Sequence, residues 1–200
     1  MAIAPCLGWE TVNIGELKTL VGQWLDRTDL DAFIPRFVEM GCQRVYRSAR
    51  TPVNEKILTG TTTNSRIEIP SDFIAVRWLA EDDRKLTAAP GHEVNGTVSG
   101  QPIKYGRLGD FINLYPVGNI SFTLAYFTIE DFQLDTNSPN LLQVALDCFL
   151  YAALVEASPF LQDDARLPVW EAKFQLAMST LKESSDDADL GDVTAIRSTV

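Results

Sequence analysis

The chain has 200 residues, with 17 Lys and Arg against 27 Asp and Glu, one His, three Cys, a formal net charge of −10 and 46% hydrophobic residues. A chain of this length buries roughly 70% of its unfolded surface, so one large domain or two small ones can form without disulfide staples. Cys6, Cys42 and Cys148 are few, odd in number and far apart, which argues against a disulfide framework, and the acidic balance disfavours phosphate binding unless a local basic patch overrides it.

Residues 1–9 carry neither a basic region nor an apolar stretch of signal-peptide length, so no secretion signal is expected. Asn13 and Glu16 then have capping-box spacing, and Ile14, Leu17, Leu20, Val21, Trp24 and Leu25 recur at helical intervals; the pattern predicts a helix ending near Asp26. After the polar turn 27–29 a second helix is predicted to run to about Ala49. Pro35 is tolerated in its first turn, and Ile34, Phe37, Val38, Gly41 and Val45 face inward. The two make an αα-hairpin.

From Thr51 the period changes to that of strands. Candidate strands are 53–58, the Ile67/Ile69 alternation, 74–79, 103–107, 111–115 and 120–127, the last two joined by a Pro116-Val-Gly-Asn119 turn as in a hairpin; 88–100 reads as a loop or short helix. Beyond the breaker cluster 135–140, residues 141–157 read as one central, mostly buried helix with Gln143, Asp147 and Tyr151 as a thin polar stripe. An acid on so apolar a helix is costly, and edge exposure of Asp147 is expected over a buried Arg pair. A last helix, about 164–183, sets Trp170, Phe174, Ala177, Met178 and Leu181 on one face. The longest strongly apolar run, 149–155, is far below the ~20 residues that span a bilayer.

The predicted architecture is α+β: a four-helix bundle formed by the N- and C-terminal helix pairs, with a mostly antiparallel β-region inserted and an acidic C-terminal tail. The segments are 1–50 for the first helices, 51–135 for the β-region, 136–183 for the second helices and 184–200 for a flexible tail holding Asp186, Asp187, Asp189 and Asp192.

Little in the chain reads as chemistry. His92 sits in a Gly-rich loop with no Cys or His neighbours, so neither a zinc site nor a general base is expected, and no cofactor motif is present. The sequons at Asn95 and Asn119 read as surface turns. The pairs Asp82-Asp83, Glu130-Asp131 and Asp163-Asp164 stand beside turns or helix starts, where carboxylates belong structurally. The three thiols lack basic neighbours and read as packing groups. One window departs from the acidic average: Arg36, Arg44, Arg47 and Arg50 against Glu39, with Arg36, Gln43, Arg47 and Arg50 on one helical face. It reads either as a solvated face or as an interface for acidic residues of another subunit or protein.

Five stretches, in order and spacing, resemble the head-to-tail adaptor (connector, tail tubular) proteins of short-tailed bacteriophages: ELKTLVGQWLDRTDL from Glu16, IPRFVEMGCQRVYRSAR from Ile34, IEIPSDFIAVRWL from Ile67, FINLYPVG from Phe111, and LDCFLYAALVEASPFLQDDARLPVWEAKFQLAMSTL from Leu146. The chain departs from that pattern at Ser138-Pro139, where an aromatic lead-in to the third helix is expected, and after Ser184. The resemblance implies a non-enzymatic virion protein of the neck, forming a twelve-subunit ring between the portal protein and the tail nozzle protein. Duplex DNA would pass through the lumen without specific binding. The candidate interface residues are then Arg36, Arg44, Arg47 and Arg50, with Asp186, Asp187 and Asp189; no cofactor or membrane partner is implied. The competing readings are a carboxylate-dependent hydrolase, which needs two carboxylates ~5 to 9.5 Å apart in a pocket, and a monomeric binding module or assembly chaperone.

Overall fold

A computed structural model describes residues 11–161 and 165–197, with side chains as far as Asp186. Cys6 and the Asp163-Asp164 pair lie outside the described residues. The chain divides into two compact units, Met1–Val53 with Glu130–Val200, and Asn54–Ile129.

The first unit is helical. Asn13 starts α1 (Ile14–Leu25) with the predicted capping box: its side chain accepts from the Glu16 backbone N–H, and the Glu16 carboxylate accepts from the Asn13 N–H, both at 2.9 Å. The helix ends at Asp26, which adopts the left-handed region at φ 53°. Ile14, Leu17, Val21 and Leu25 are buried, whereas Trp24, at the margin of the stripe, is 41% exposed. A single 3-10 turn, Thr28–Leu30, leads to α2 (Ile34–Ser48), with Pro35 in its first turn. It buries all five predicted residues and adds Cys42 and Tyr46.

The helix predicted over 141–157 is two helices, α3 (Asn140–Val144) and α4 (Leu146–Glu156), separated at Ala145 with φ −140°. Polar side chains flank the break. Gln143 exchanges two hydrogen bonds with the Val12 backbone, at 2.9 and 2.6 Å. Asp147, in the first turn of α4, accepts from the Cys148 N–H at 2.9 Å. Asp147 is exposed at that helix edge, as expected. α4 packs against α1, α2 and the last helix, α5 (Leu167–Arg197). The approach of α2 and α4 requires a glycine, since a Cβ on Gly41 would lie 2.7 Å from the Ala153 nitrogen.

α5 runs past the end expected near Glu183 to Arg197, so the segment read as a flexible tail has a helical backbone for most of its length. The sequence offers no breaker before Gly191, and an isolated helical glycine costs only ~1 kcal/mol. Ser185 also docks inward, 6% exposed, its hydroxyl donating to the Arg50 carbonyl at 3.3 Å.

The second unit holds two four-stranded sheets, inserted in sequence between the helices. With β1 (Glu55–Thr61), β2 (Arg66–Glu68), β3 (Phe73–Glu81), β4 (Arg84–Lys85), β5 (Thr87–Ala88), β6 (Lys104–Leu108), β7 (Phe111–Tyr115) and β8 (Ser121–Thr128), the orders are β1-β8-β3-β4 and β2-β7-β6-β5. Every pairing is antiparallel except β5 with β6. The Pro116-Val-Gly-Asn119 segment is not a hairpin turn: β7 and β8 belong to different sheets. The connection carries Ile120 into the core, 5% exposed, which turns the chain across instead of back along β7. Ile67, Tyr105, Ile112 and Leu114 of one sheet meet Leu79, Phe122, Leu124 and Tyr126 of the other in one core. A 3-10 turn, Gly91–Val94, lies within the predicted loop 88–100.

Candidate interaction surfaces

The arginines of α2 divide by direction. Arg44 turns inward: it is 3.1 Å from Glu156 and 3.7 Å from Glu171, and its guanidinium lies 4.9 Å from the Phe174 ring centroid. It ties α2 to α4 and α5 and is no part of an outer ridge. Arg36 pairs with Glu39 one turn on, at 2.6 Å with both side chains exposed, a pair worth a few tenths of a kcal/mol. Arg47 is exposed and reaches Gln43 at 3.5 Å. Arg50 donates to the Tyr46 and Ala49 carbonyls at 3.2 Å, closing the helix C-terminus. Asp186 is exposed on α5, while the side chains of Asp187 and Asp189 lie outside the described residues.

The carboxylate pairs are structural where they are described. Glu130 accepts from the Asn140 and Leu141 backbone N–H groups at 3.0 Å, from the Asn140 amide at 2.7 Å and from the Tyr46 hydroxyl at 3.1 Å. It fixes the start of α3 and ties it to α2. Burial, and then the Glu130 charge beside it, push the Tyr46 phenol far above its ordinary pKa. Asp131 accepts from the Gln133 N–H at 2.9 Å, and Asp82-Asp83 form the exposed turn between β3 and β4. Burial pushes the thiols of Cys42 and Cys148 up to about 12, so at neutral pH both are protonated packing groups. His92 is exposed on its turn.

Among the described residues, two clefts bear on an enzymatic reading. One, of about 410 Å³, is lined by Lys18, Pro35, Arg36, Val38, Glu39 and Phe132; another, of about 480 Å³, lies in the β-unit beside Leu58, Thr63, Arg66, Glu68, Phe111 and Phe122. Each lining holds a single carboxylate, so neither supplies the acid and base that a carboxylate-dependent hydrolase needs.

The periodicity missed an aromatic cluster at one end of the helical unit. Phe33, at the start of α2, and Phe160, in the 3-10 turn after α4, lie tilted against each other at 5.0 Å, and the buried Phe37 lies 5.2 Å from Phe160. Arg27, paired with Asp29 at 2.6 Å, donates to the Phe160 carbonyl at 3.2 Å. Trp24, at the end of α1, lies edge-on to Tyr151 at 5.8 Å, and Arg166 donates to its carbonyl at 3.3 Å. Trp24, Phe33 and Phe160 are each 41 to 44% exposed. Phe33 stands outside the helical stripe, just before Ile34, which is the one sequence signal for it.

Among the described residues no helix is long and apolar enough to cross a membrane. A family model described as SU10 adaptor protein matches residues 12–197, covering both units. No curated protein matches the chain.

Proposed function

The chain belongs to the SU10 adaptor protein family, phage head-to-tail adaptors that are structural virion proteins and not enzymes, and from that premise we propose that it forms a twelve-subunit ring joining the portal protein to the tail nozzle protein. The helical unit, as a four-helix bundle of α1, α2, α4 and α5, meets the portal and neighbouring copies. The ring completes part of the conduit through which duplex DNA leaves the head. The observation that carries this reading is the extent of the family match: residues 12–197 take in the helices and the inserted sheets, so the whole described chain has adaptor organisation.

The remaining sequence-level assignments belong to the same proposal. Arg36 and Arg47 on the outer side of α2, with Asp186, Asp187 and Asp189 on α5, are candidates for contacts between subunits, while Arg44 and Arg50 act within the subunit. A chain of net charge −10 gives the conduit the sign of the phosphates, so DNA slides past without adhering. Cryo-electron microscopy of the virion tests both claims. Density for this chain is expected between portal and nozzle; its absence there rejects the adaptor placement, and a lumen studded with the α2 arginines rejects the low-adhesion conduit.

A further inference from the structure

The aromatic end of the helical unit has the composition of a docking surface. Trp24, Phe33 and Phe160, each 41 to 44% exposed, come from three different elements that end or begin there. Phe33 and Phe160 lie against each other with Arg27 donating to the Phe160 carbonyl, and exposed aromatic groups with arginine among them are enriched at the centres of protein interfaces. The rim is acidic. The segment from Asp26 to Phe33 carries Asp26, Asp29 and Asp31 against Arg27 alone, and the Arg27–Asp29 pair leaves Asp26 and Asp31 exposed. The neighbouring cations are already engaged: Arg166 on the Trp24 carbonyl and 5.0 Å from the Trp170 ring centroid, Arg36 on Glu39.

We propose that this acid-rimmed aromatic end is the docking surface for a basic face of another virion protein, one that offers an apolar socket ringed by Lys or Arg. Charge complementarity selects that occupant. Duplex DNA meets Asp26 and Asp31 with phosphates of like sign, and a second copy, with 17 Lys and Arg against 27 Asp and Glu, is acidic on balance. The inference rests on the adaptor reading only in taking the partner to be a virion protein.

Binding to DNA-filled heads, purified from a lysate in which this chain is not made, tests the proposal. The variants are Asp26→Asn with Asp31→Lys, and separately Phe33→Ser. Asparagine tolerates the left-handed conformation at position 26, and Asp31 is exposed, so the charge variant is expected to keep the wild-type melting temperature. Wild-type binding is expected to weaken at least tenfold between 0.1 and 1 M NaCl, and each variant to bind at least tenfold more weakly than wild type at 0.1 M. A folded charge variant that binds as wild type does overturns the proposal. So do variants that bind heads normally but fail to self-associate by mass photometry, since they assign the surface to a second copy. Wild-type chain that does not bind heads at any salt rejects the adaptor reading itself, a separate outcome that removes the inference with it.

Discussion

At Gly41 the structure makes a demand that a single methyl group tests. A Cβ there would meet the Ala153 nitrogen at 2.7 Å and its Cα at 2.9 Å, backbone atoms that cannot rotate away. Gly41→Ala is therefore expected to destabilise the protein by about 1 to 3 kcal/mol, against the usual helical preference for alanine, read as a lower urea midpoint. The buried thiols make a second demand. With pKa values of about 12 against an ordinary 9, Cys42 and Cys148 bind protons more tightly in the folded state. Their stabilisation is complete below pH 9 and is lost as pH rises toward 12, so the urea midpoint should fall across that window, and substituting both cysteines with alanine should flatten the decline. Asn13, Gly41 and the thiols were legible in the sequence because each follows a local rule: a cap, an inward position on a helix, a thiol without basic neighbours. Arg44 was not. Helical spacing sets it off the face of Arg36, Gln43, Arg47 and Arg50, but its partners Glu156, Glu171 and Phe174 lie more than a hundred residues away in the chain.

The elements were easiest to read where hydrophobic period and caps agree, as in α1 and α2, and hardest where a choice depends on partners distant in sequence. The Pro116-Val-Gly-Asn119 segment has turn composition, which fixes that the chain turns but not which sheet receives the next strand. Beside the break between α3 and α4, Gln143 bonds the Val12 backbone, a partner 131 residues away that no local window contains. The open edge of β1 carries a prediction at this scale. It is a seven-residue edge strand whose Ile57 is 64% exposed, with no charge between Lys56 and Arg66; such an edge is a template for pairing with another chain. The other edges, β2, β4 and β5, are only two or three residues long. Ile57→Lys is expected to leave stability within about 0.5 kcal/mol and to reduce aggregation on refolding from urea, measured by light scattering. Unchanged scattering would mean the edge is protected by other means.

For the whole molecule the decisive quantity is charge, and it is unevenly placed. Residues 1–100 hold 11 basic and 13 acidic side chains, and residues 101–200 hold 6 and 14, so most of the net −10 belongs to the second half. Twelve copies would carry about −120 before any partner binds, and that self-repulsion must be overcome to close a ring. Raising NaCl from 0.1 to 1 M shortens the screening length from about 10 Å to about 3 Å, which weakens long-range repulsion and exposed ion pairs alike. The direction of the salt effect therefore separates two kinds of subunit contact. If apolar packing holds the copies together, the oligomeric fraction of the isolated protein, read by mass photometry, rises with salt because the repulsion is removed. If Arg36 and Arg47 hold aspartates near the end of a neighbour's α5, it falls, and Arg47→Glu lowers it further at 0.1 M. Arg44 and Arg50 are engaged within the subunit, so Arg36 and Arg47 alone act against the repulsion between acidic copies, and the expected result is a rise with salt. Docking to heads through the acid-rimmed end should weaken over the same range, so assembly with self and assembly with partner are predicted to respond to one variable with opposite sign.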